Sequence, residues 1–351
     1  MAGPAIDHDR RATLPTDEPT DLVSRSVPLM GGHVGVHLSP AGGIAVREAD
    51  AAAAAATEAD AVLRRISAWA DRLTRFTTTS ELSRLNRDPR GEVPVGPTLA
   101  AVLDWGRQAE TLSGGIVDVG LLDARLAAEA ASTDLGAGAT RSVVTTAVTS
   151  LASLASQASR SWWLDRRARG AIVHRPVGLR FDLDGIGKGW LADRALDRLG
   201  RHPAAVVDCD GDVAIRLDPG MAWSFGVADP RLAGHDLAIL HLTGRDGGAR
   251  REDGRFGLAT SGTSVHRWDR DGSQTHHLID PRTGRSAETD VVQATVLART
   301  AREAEALAKS VVILGLAAGY DLLERSGVDG AFLLTDQAEV VVHPATERWL
   351  A

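Results

Sequence analysis

Residues 181–200, FDLDGIGKGWLADRALDRLG, carry the pattern that most constrains the fold of this chain. Apolar and polar residues alternate from residue 177 to residue 184, which predicts a short strand. Further on, Leu191, Ala195 and Leu199 recur at helical spacing, and Gly200 stands where a C-cap glycine belongs, so a helix is predicted. A chain that passes from a strand through a glycine-rich turn into an amphipathic helix is expected to mix both kinds of element.

The turn itself spans residues 184–189, DGIGKG. Its three glycines allow a tight turn and a close approach of a ligand to the backbone. The N-terminus of the helix that follows suits a phosphate, and Lys188 adds a positive charge. The spacing is neither that of a dinucleotide-binding motif nor that of a Walker loop. Two interpretations therefore stay open: an anion site, or an ordinary strand–loop–helix connection with a solvated lysine.

The remaining chain alternates short strand candidates with helices. Strands are predicted at residues 27–38, with 41–48 as the hairpin partner, and at 291–298; helices are predicted at 50–76, 98–112 and 301–314. Residues 260–263 and 276–284 are predicted as polar turns. Because hairpin strands and helices are mixed rather than alternating strictly, the fold class is α+β. We expect residues 1–25 to be a disordered polar tail, 26–345 to form a single domain, and 127–161 to be a low-complexity, partly helical segment at its periphery.

Composition excludes several classes of protein. The net charge of −7, with both signs mixed along 351 residues, argues against nucleic acid or an acidic membrane surface as the main partner. The single cysteine, Cys209, leaves no internal disulfide and no multi-cysteine metal site. No signal peptide, lipid-attachment motif or apolar run of membrane-spanning length is seen, so a cytoplasmic location is expected.

Seven short motifs occur along the chain in a recognisable order. They are MGG at residues 30–32, SELSRLN at 80–86, SGG at 113–115 followed by Asp118, DLDGIGKG at 182–189, DCDGD at 208–212, TSG at 260–262 and HLIDPRTG at 277–284. In this order the chain resembles the ApbE family, the FAD:protein FMN transferases, from about residue 27 to residue 343. The resemblance implies a T-fold-related domain of largely antiparallel sheets with packed helices. It also implies an enzyme that moves the FMN half of FAD onto a threonine or serine hydroxyl of an acceptor flavoprotein and releases AMP.

The same resemblance assigns candidate site residues. The residues implied to bind the flavin nucleotide are Met30, Phe76, Ile116, Val117, Asp118, Asp182, Lys188, Ser261 and Leu278. The family usually binds a magnesium ion, and the Gly185 carbonyl and the Glu305 carboxylate would stand at that metal.

His277 is the candidate general base, because an imidazole titrates near working pH and could take the proton of the acceptor hydroxyl. Its neighbour His276 is chemically an equally good base, and His277 is preferred for its position ahead of Leu278. The alternative for His277 is a turn histidine that only hydrogen-bonds Asp280 or the backbone. Lys188 is the candidate for stabilising charge on the pyrophosphate.

One departure from the family concerns the helix that follows residues 291–298. The family places there an acid and, four residues later, a threonine, both facing the metal; here these positions are Glu305 and Lys309. Residues four apart share a helix face, and a protonated lysine has no lone pair for a metal. Lys309 either pairs with Glu305 or takes over part of the metal's charge. FAD binding without chemistry therefore stays open as an alternative function. FAD hydrolysis also stays open, because the nucleophile that would distinguish it from transfer is not on this chain.

Overall fold

The computed structural model describes residues 22–40, 48–133, 161–244, 254–263, 267–270 and 273–350. Its strands are β1 Val23–Leu29, β2 Gly32–Ser39, β3 Glu92–Val95, β4 Trp163–Arg167, β5 Gly170–His174, β6 Ala204–Cys209, β7 Asp212–Leu217, β8 Ala222–Ala228, β9 Asp236–Thr243, β10 Arg255–Gly262, β11 Arg267–Arg270, β12 Ser273–His276, β13 Ile279–Asp280, β14 Arg285–Ser286, β15 Val291–Ala298, β16 Gly330–Thr335 and β17 Val340–Val342. Its α-helices are α1 Glu48–Leu73, α2 Glu81–Arg87, α3 Pro97–Leu112, α4 Leu122–Thr133, α5 Gly187–Leu196, α6 Ala301–Leu314 and α7 Leu316–Ser326, and Pro344–Trp349 is a 3₁₀ helix.

Eight of these strands form one sheet in the order β1-β2-β6-β7-β10-β15-β16-β17. Every neighbouring pair is antiparallel. The central strands are buried on both faces: along β6, Ala205, Val207 and Cys209 pack with the helices, while Ala204 and Val206 pack on the opposite side. This double burial explains why these strands are nearly continuous apolar runs rather than clean alternations.

Helices α1, α5 and α6 cover one face of this sheet. The other face packs against the β8–β9 hairpin and the C-terminal 3₁₀ helix, with Trp223 and Trp349 in the shared core. Helix α6 begins with a side-chain N-cap, since the Thr300 hydroxyl accepts the Glu303 N–H. The α+β class with largely antiparallel sheets is therefore confirmed.

A second, smaller group of elements lies beside the first. Strands β3, β5 and β4 form a three-stranded antiparallel sheet that contacts α3. Helix α4 packs on the short β13–β14 hairpin through a small apolar cluster of Leu121, Ala124 and Ile279. Through Leu121 and Ile279, this cluster places the residues around His277 next to the loop that follows α3.

The strand predicted over residues 177–183 is absent, although its alternation is real. Leu179, Phe181 and Leu183 are buried, but the segment is irregular. The side chain of Asn86 takes the place of a partner strand: its Nδ2 donates to the Phe181 carbonyl and its Oδ1 accepts the Phe181 N–H, both at 2.8 Å. Pairing by a side chain satisfies the buried backbone groups without a ladder, so periodicity alone misassigned the element.

Other predictions also need correction. The hairpin partner of β2 is β1, with its turn at Met30-Gly31, while residues 41–47 lie outside the described residues. Residues 260–262, predicted as a turn, are the last part of β10, and the long first helix ends at Leu73 rather than at residue 76. Ordered structure extends beyond the predicted domain limits of 26 and 345, because β1 begins at Val23 and the 3₁₀ helix ends at Trp349. Most of the low-complexity segment and residues 1–21 lie outside the described residues. Among the described residues, no helix is both long enough and apolar enough to cross a membrane.

Candidate functional site

A cleft opens where four separate chain segments meet. It is lined by Ile116, Val117, Asp118, Val119, Leu121, Arg125, Asp182, Gly185, Ile186, His277, Ile279 and Lys309. Seven of the residues named from the sequence are in this set: Ile116, Val117, Asp118, Asp182, Gly185, His277 and Lys309. The structure thus brings together residues that are up to about 190 positions apart in the sequence.

The loop after α3 supplies one wall of the cleft. Gly114 and Gly115 adopt positive φ angles of 65° and 89°, which lets the chain reverse directly after the helix. The Ser113 hydroxyl accepts the Val117 N–H at 2.9 Å and so fixes the loop. Asp118 Oδ1 accepts the Gly120 N–H at 2.7 Å. These contacts explain why the SGG motif precedes the candidate flavin-site residues.

Two arginines that the sequence analysis did not identify hold the opposite wall. Arg125 from α4 lies 3.0 Å from carboxylate oxygens of both Asp182 and Asp184, and Arg75 lies 3.3 Å from Asp184. Both arginines also contact Glu129. Burial alone would lower the pKa of Arg125, but the carboxylates of Asp182, Asp184 and Glu129 outweigh it and raise that pKa. No motif marks Arg125, because its main partner is 57 residues away; only the Arg125–Glu129 spacing of four gave any signal.

Phe76 stands at the edge of this arginine cluster. Its ring is 74% exposed, and the Arg75 guanidinium lies over it at 4.3 Å from the ring centroid. The ring therefore offers an uncovered apolar face beside the cleft, although Phe76 is not among the residues that line it. Its role as a flavin contact stays a prediction.

The two histidines of the HH pair have different environments. His276 is buried, and its Nε2 lies 3.0 Å from the Ala287 carbonyl while its Nδ1 accepts the Leu278 N–H at 3.3 Å. Both of its ring nitrogens are thus used to hold the β13–β14 hairpin. His277 is half-buried and lines the cleft. The geometry favours His277 over His276 as the proton acceptor, which the sequence could not decide chemically.

Lys309 projects from α6 toward the turn of residues 182–186. A Cβ atom built on Gly185 would lie 1.7 Å from its ammonium nitrogen, so any larger residue at this point of the turn would displace the end of the lysine side chain. Among the described residues Lys309 makes no hydrogen bond and no ion pair. Burial and the charge of Arg125 lower the pKa of Lys309, against the carboxylates of Asp182, Glu305 and Asp184. The ion pair with Glu305 considered from the sequence is not formed.

Glu305 is buried, and it faces α5 instead of Lys309. Its Oε2 accepts the Gly189 N–H at 2.9 Å. A carboxylate of the protein thus accepts one N–H at the start of α5, the helix end where the sequence offered an anion site as one of two interpretations. Burial and the nearby Asp212 raise the pKa of Glu305, while Lys188 and the Gly189 N–H oppose that rise.

Lys188 lies in a second cluster beside the cleft. Its Nζ is 3.1 Å from Asp212 Oδ2 and 3.3 Å from the Asp210 carbonyl. The Asp210-Gly211 turn joins β6 to β7 with both φ angles positive, as two-residue hairpin loops require. Lys188 is not among the residues that line the cleft. Its direct contact with FAD stays a prediction, and its observed partners are carboxylates.

Three further candidates also lie outside the cleft lining. Met30 sits in the β1–β2 turn with a φ of 57°, and the neighbouring Gly32 lies so close to Asp210 that a Cβ would fall 2.0 Å from its Oδ1. Ser261 lies within β10 opposite Ala294. Leu278 is buried in the core between the cleft residues His277 and Ile279. Their assignment to flavin binding stays a prediction; for Leu278, burial leaves only the backbone to face a ligand.

The fold and this cleft can now be compared with known proteins. The structure is similar to the apo crystal structure of the Pseudomonas stutzeri flavinyl transferase ApbE, with a TM-score of 0.71 and 21% sequence identity over 93% of this chain and 96% of that one. At this identity the likeness shows the fold. The model of the ApbE family matches residues 30–332, and the chain belongs to this family.

Curated relatives of this chain carry the name FAD:protein FMN transferase. The chain is 34% identical over 174 residues to the FAD:protein FMN transferase of Treponema pallidum, which is 46% of this chain and 45% of the relative. It is 28% identical over 178 residues to the enzyme of the same name from Salmonella typhimurium, which is 50% of this chain and 48% of that relative. The chain thus spans about half the length of the curated relatives it matches.

Proposed function

We propose that this protein transfers the FMN half of FAD to a threonine or serine hydroxyl of an acceptor flavoprotein and releases AMP. One observation carries the proposal: in a chain of the ApbE family, His277, Asp118, Gly185 and Lys309 line one cleft. The name of the curated relatives, FAD:protein FMN transferase, supports the same reaction.

The reaction has a simple balance of bonds. The acceptor hydroxyl oxygen forms a bond to the phosphorus of the FMN half, and the bond from that phosphorus to the bridging oxygen breaks. AMP leaves with the electron pair of the broken bond, and His277 takes the hydroxyl proton. Such a phosphoryl transfer is accelerated mainly by positive charge positioned beside the pyrophosphate, which stabilises the transition state.

The cleft residues divide between the two ends of FAD. Ile116 and Val117 offer apolar surface on the wall built by the loop after α3, and the exposed ring of Phe76 offers a second apolar surface at the arginine cluster. Lys309 and His277 supply a positive charge and a proton acceptor at the polar end. This division suits a ligand with a flat apolar ring system and an anionic bridge.

The test is incubation of the purified protein with FAD and a candidate FMN-domain acceptor, followed by mass spectrometry of the acceptor and chromatography of nucleotides. Transfer predicts an acceptor heavier by one FMN group and one AMP for each modified acceptor. Free FMN with AMP and an unmodified acceptor would identify FAD hydrolysis instead. FAD binding with no AMP under any condition would leave only a binding protein. The cytoplasmic location stays a prediction that cell fractionation would test.

A further inference from the structure

The magnesium ion that the fold family implies does not fit the residues at this point of the cleft. Magnesium requires several oxygen ligands in near-octahedral geometry. Among the described residues, no group of three or more histidine, cysteine, aspartate or glutamate side chains could hold a metal ion. Of the expected pair on α6, Glu305 accepts the Gly189 N–H, and the other position is a lysine.

The position of Lys309 strengthens this disagreement. Its ammonium nitrogen lies against Gly185, the residue whose carbonyl was expected at the metal, so close that a Cβ on Gly185 would overlap it. A cation is therefore already present where the ion was expected. The carboxylates of the adjoining turn, Asp182 and Asp184, are engaged by Arg125 and Arg75. They are thus paired with side chains instead of being free for a metal.

The remaining contacts show what the Lys309 charge is available for. Asp182 and Asp184 have arginine partners within 3.3 Å, and Glu305 has a backbone partner at 2.9 Å. Lys309, among the described residues, has no partner within ion-pair distance and lines the open cleft together with His277. An ammonium in this position can contact non-bridging oxygens of a pyrophosphate as a point charge.

We propose that Lys309 is the resident cation of this cleft: it contacts the pyrophosphate of FAD, and the protein binds and cleaves FAD without a divalent metal ion. This inference rests on the proposed function and specifies how that same site stabilises charge. Lys309 forms and breaks no bond in the reaction. It neutralises charge on the pyrophosphate while AMP leaves with the electron pair and His277 takes the proton.

The first experiment measures binding as well as activity. FAD is titrated into the protein by calorimetry in EDTA and again in millimolar Mg²⁺, and AMP release with an acceptor is measured in the same two buffers. We expect the dissociation constant and the rate each to differ by less than about twofold between buffers. The electron paramagnetic resonance signal of added Mn²⁺ should show no saturable site, with or without FAD. A tenfold or greater need for Mg²⁺ in binding or in rate, or one Mn²⁺ bound per chain, would overturn the proposal.

Two variants at position 309 distinguish the effect of the lysine charge from the effect of a side chain that can coordinate a metal ion. Lys309→Met removes the charge, and we expect FAD binding to weaken by about tenfold or more in both buffers. Lys309→Thr removes the charge but supplies a hydroxyl oxygen next to Glu305 and Gly185. Here we expect a similar loss in EDTA that Mg²⁺ partly restores. Unchanged FAD binding by Lys309→Met would contradict the proposal.

The outcomes also separate this inference from the proposed function. Metal-independent FAD binding that needs Lys309, combined with no AMP from any acceptor, would support the cation role and refute the transfer reaction. Transfer that stops in EDTA and returns with Mg²⁺ would support the transfer reaction and refute the cation role of Lys309. A protein that binds no FAD in either buffer would refute both.

Discussion

Two lysines lie near Glu305, and their surroundings differ. One is paired with carboxylates of the protein, and the other faces the cleft without such a partner among the described residues. Lys188, at the start of α5, lies 3.1 Å from Asp212 Oδ2 and also donates to the Asp210 carbonyl. Lys309, on α6, lies against Gly185 at the cleft with no ion-pair partner among the described residues. Both are the same residue type near the same glutamate, so only their partners distinguish them.

The electrostatic consequences run in opposite directions. Burial would lower the pKa of Lys188, but the carboxylates of Asp212, Glu305 and Asp210 outweigh it and raise that pKa. The pKa of Lys309 is lowered by burial and by Arg125. An anion that binds in the cleft would place a negative charge beside the Lys309 ammonium, whereas the Lys188 ammonium already has carboxylates beside it. The comparison therefore supports the proposal that Lys309, and not Lys188 of the glycine-rich motif, contacts the ligand.

The largest effect should come from His277, which shares the cleft with Lys309. His277→Gln keeps the side chain polar but removes the proton acceptor, and we expect the rate of FMN transfer to fall by about 10²- to 10⁴-fold. FAD binding should change much less, because the imidazole acts on the acceptor hydroxyl. Single-turnover transfer and calorimetric FAD titration measure the two quantities separately.

The neighbouring histidine is the matched control for that prediction. His276→Gln loses the contact with the Ala287 carbonyl, and we expect a stability loss of about 1 kcal/mol with the transfer rate kept within about tenfold. If His276→Gln abolished transfer while His277→Gln did not, the proton acceptor would be the wrong histidine.

The second prediction compares the lysines directly in stability. Lys188→Met leaves the buried Asp212 carboxylate without its partner, and we expect the free energy of unfolding to fall by about 2 kcal/mol. Lys309→Met removes a charge that has no protein partner, so stability should stay within about 0.5 kcal/mol or increase. Urea unfolding of both variants measures the difference. Equal losses, or a larger loss for Lys309→Met, would remove the distinction between the two clusters.

The sequence predicted much of this site because its motifs mark backbone features. The SGG motif at residues 113–115 and the glycine turn at 184–189 encode tight turns that appear in the structure, and they carry Ile116, Val117, Asp118 and Gly185 to the cleft. Strand β15 and the N-cap of α6 were also predictable, since they depend on local periodicity and on a local hydrogen bond.

What the sequence missed depends on contacts between distant residues. Arg125 and Arg75 are ordinary charges until the fold places them against Asp182 and Asp184. The segment over residues 177–183 has the alternation of a strand, but the Asn86 side chain replaces the partner strand. At the start of α5 the Gly189 N–H donates to Glu305, since α6 packs close enough for its carboxylate to reach this amide, and the phosphate site there stays a prediction. None of these pairings leaves a local signal.

The third prediction uses two glycines of one turn. In Gly185→Ala the new methyl group would overlap the Lys309 ammonium, so the lysine must move, and we expect FAD binding to weaken by roughly five- to tenfold. In Gly187→Ala the methyl group meets nothing within 4 Å, and FAD binding should be unchanged. Calorimetry on both variants makes the comparison. A loss from Gly187→Ala as large as that from Gly185→Ala would mean that the turn backbone, and not Lys309, binds the ligand.

The smallest expected effect concerns the acids around Lys188. Burial, with added repulsion from Asp212 and Asp210, raises the pKa of Asp208 from 3.8 to about 6. Between these two values the folded protein holds a proton that the unfolded chain has lost, so this carboxyl makes the protein less stable as pH rises from about 4 to 6. Asp208→Asn is neutral at every pH and keeps the oxygen that accepts the Gly211 N–H.

We therefore expect Asp208→Asn to match the wild type near pH 4 and to exceed it in stability by at least about 1 kcal/mol at pH 7. Thermal or urea unfolding at several pH values measures this difference, and Asp71→Asn, at an exposed position on α1, controls for the loss of one charge. Because several carboxylates surround the Lys188 ammonium, its charge is already neutralised by protein groups. A pH-independent difference, or a variant less stable than the wild type at pH 7, would contradict this prediction. It would show that the ionised Asp208 carboxylate is stabilised in the folded protein, and that the carboxylates of this cluster do not exceed the positive charge available to them.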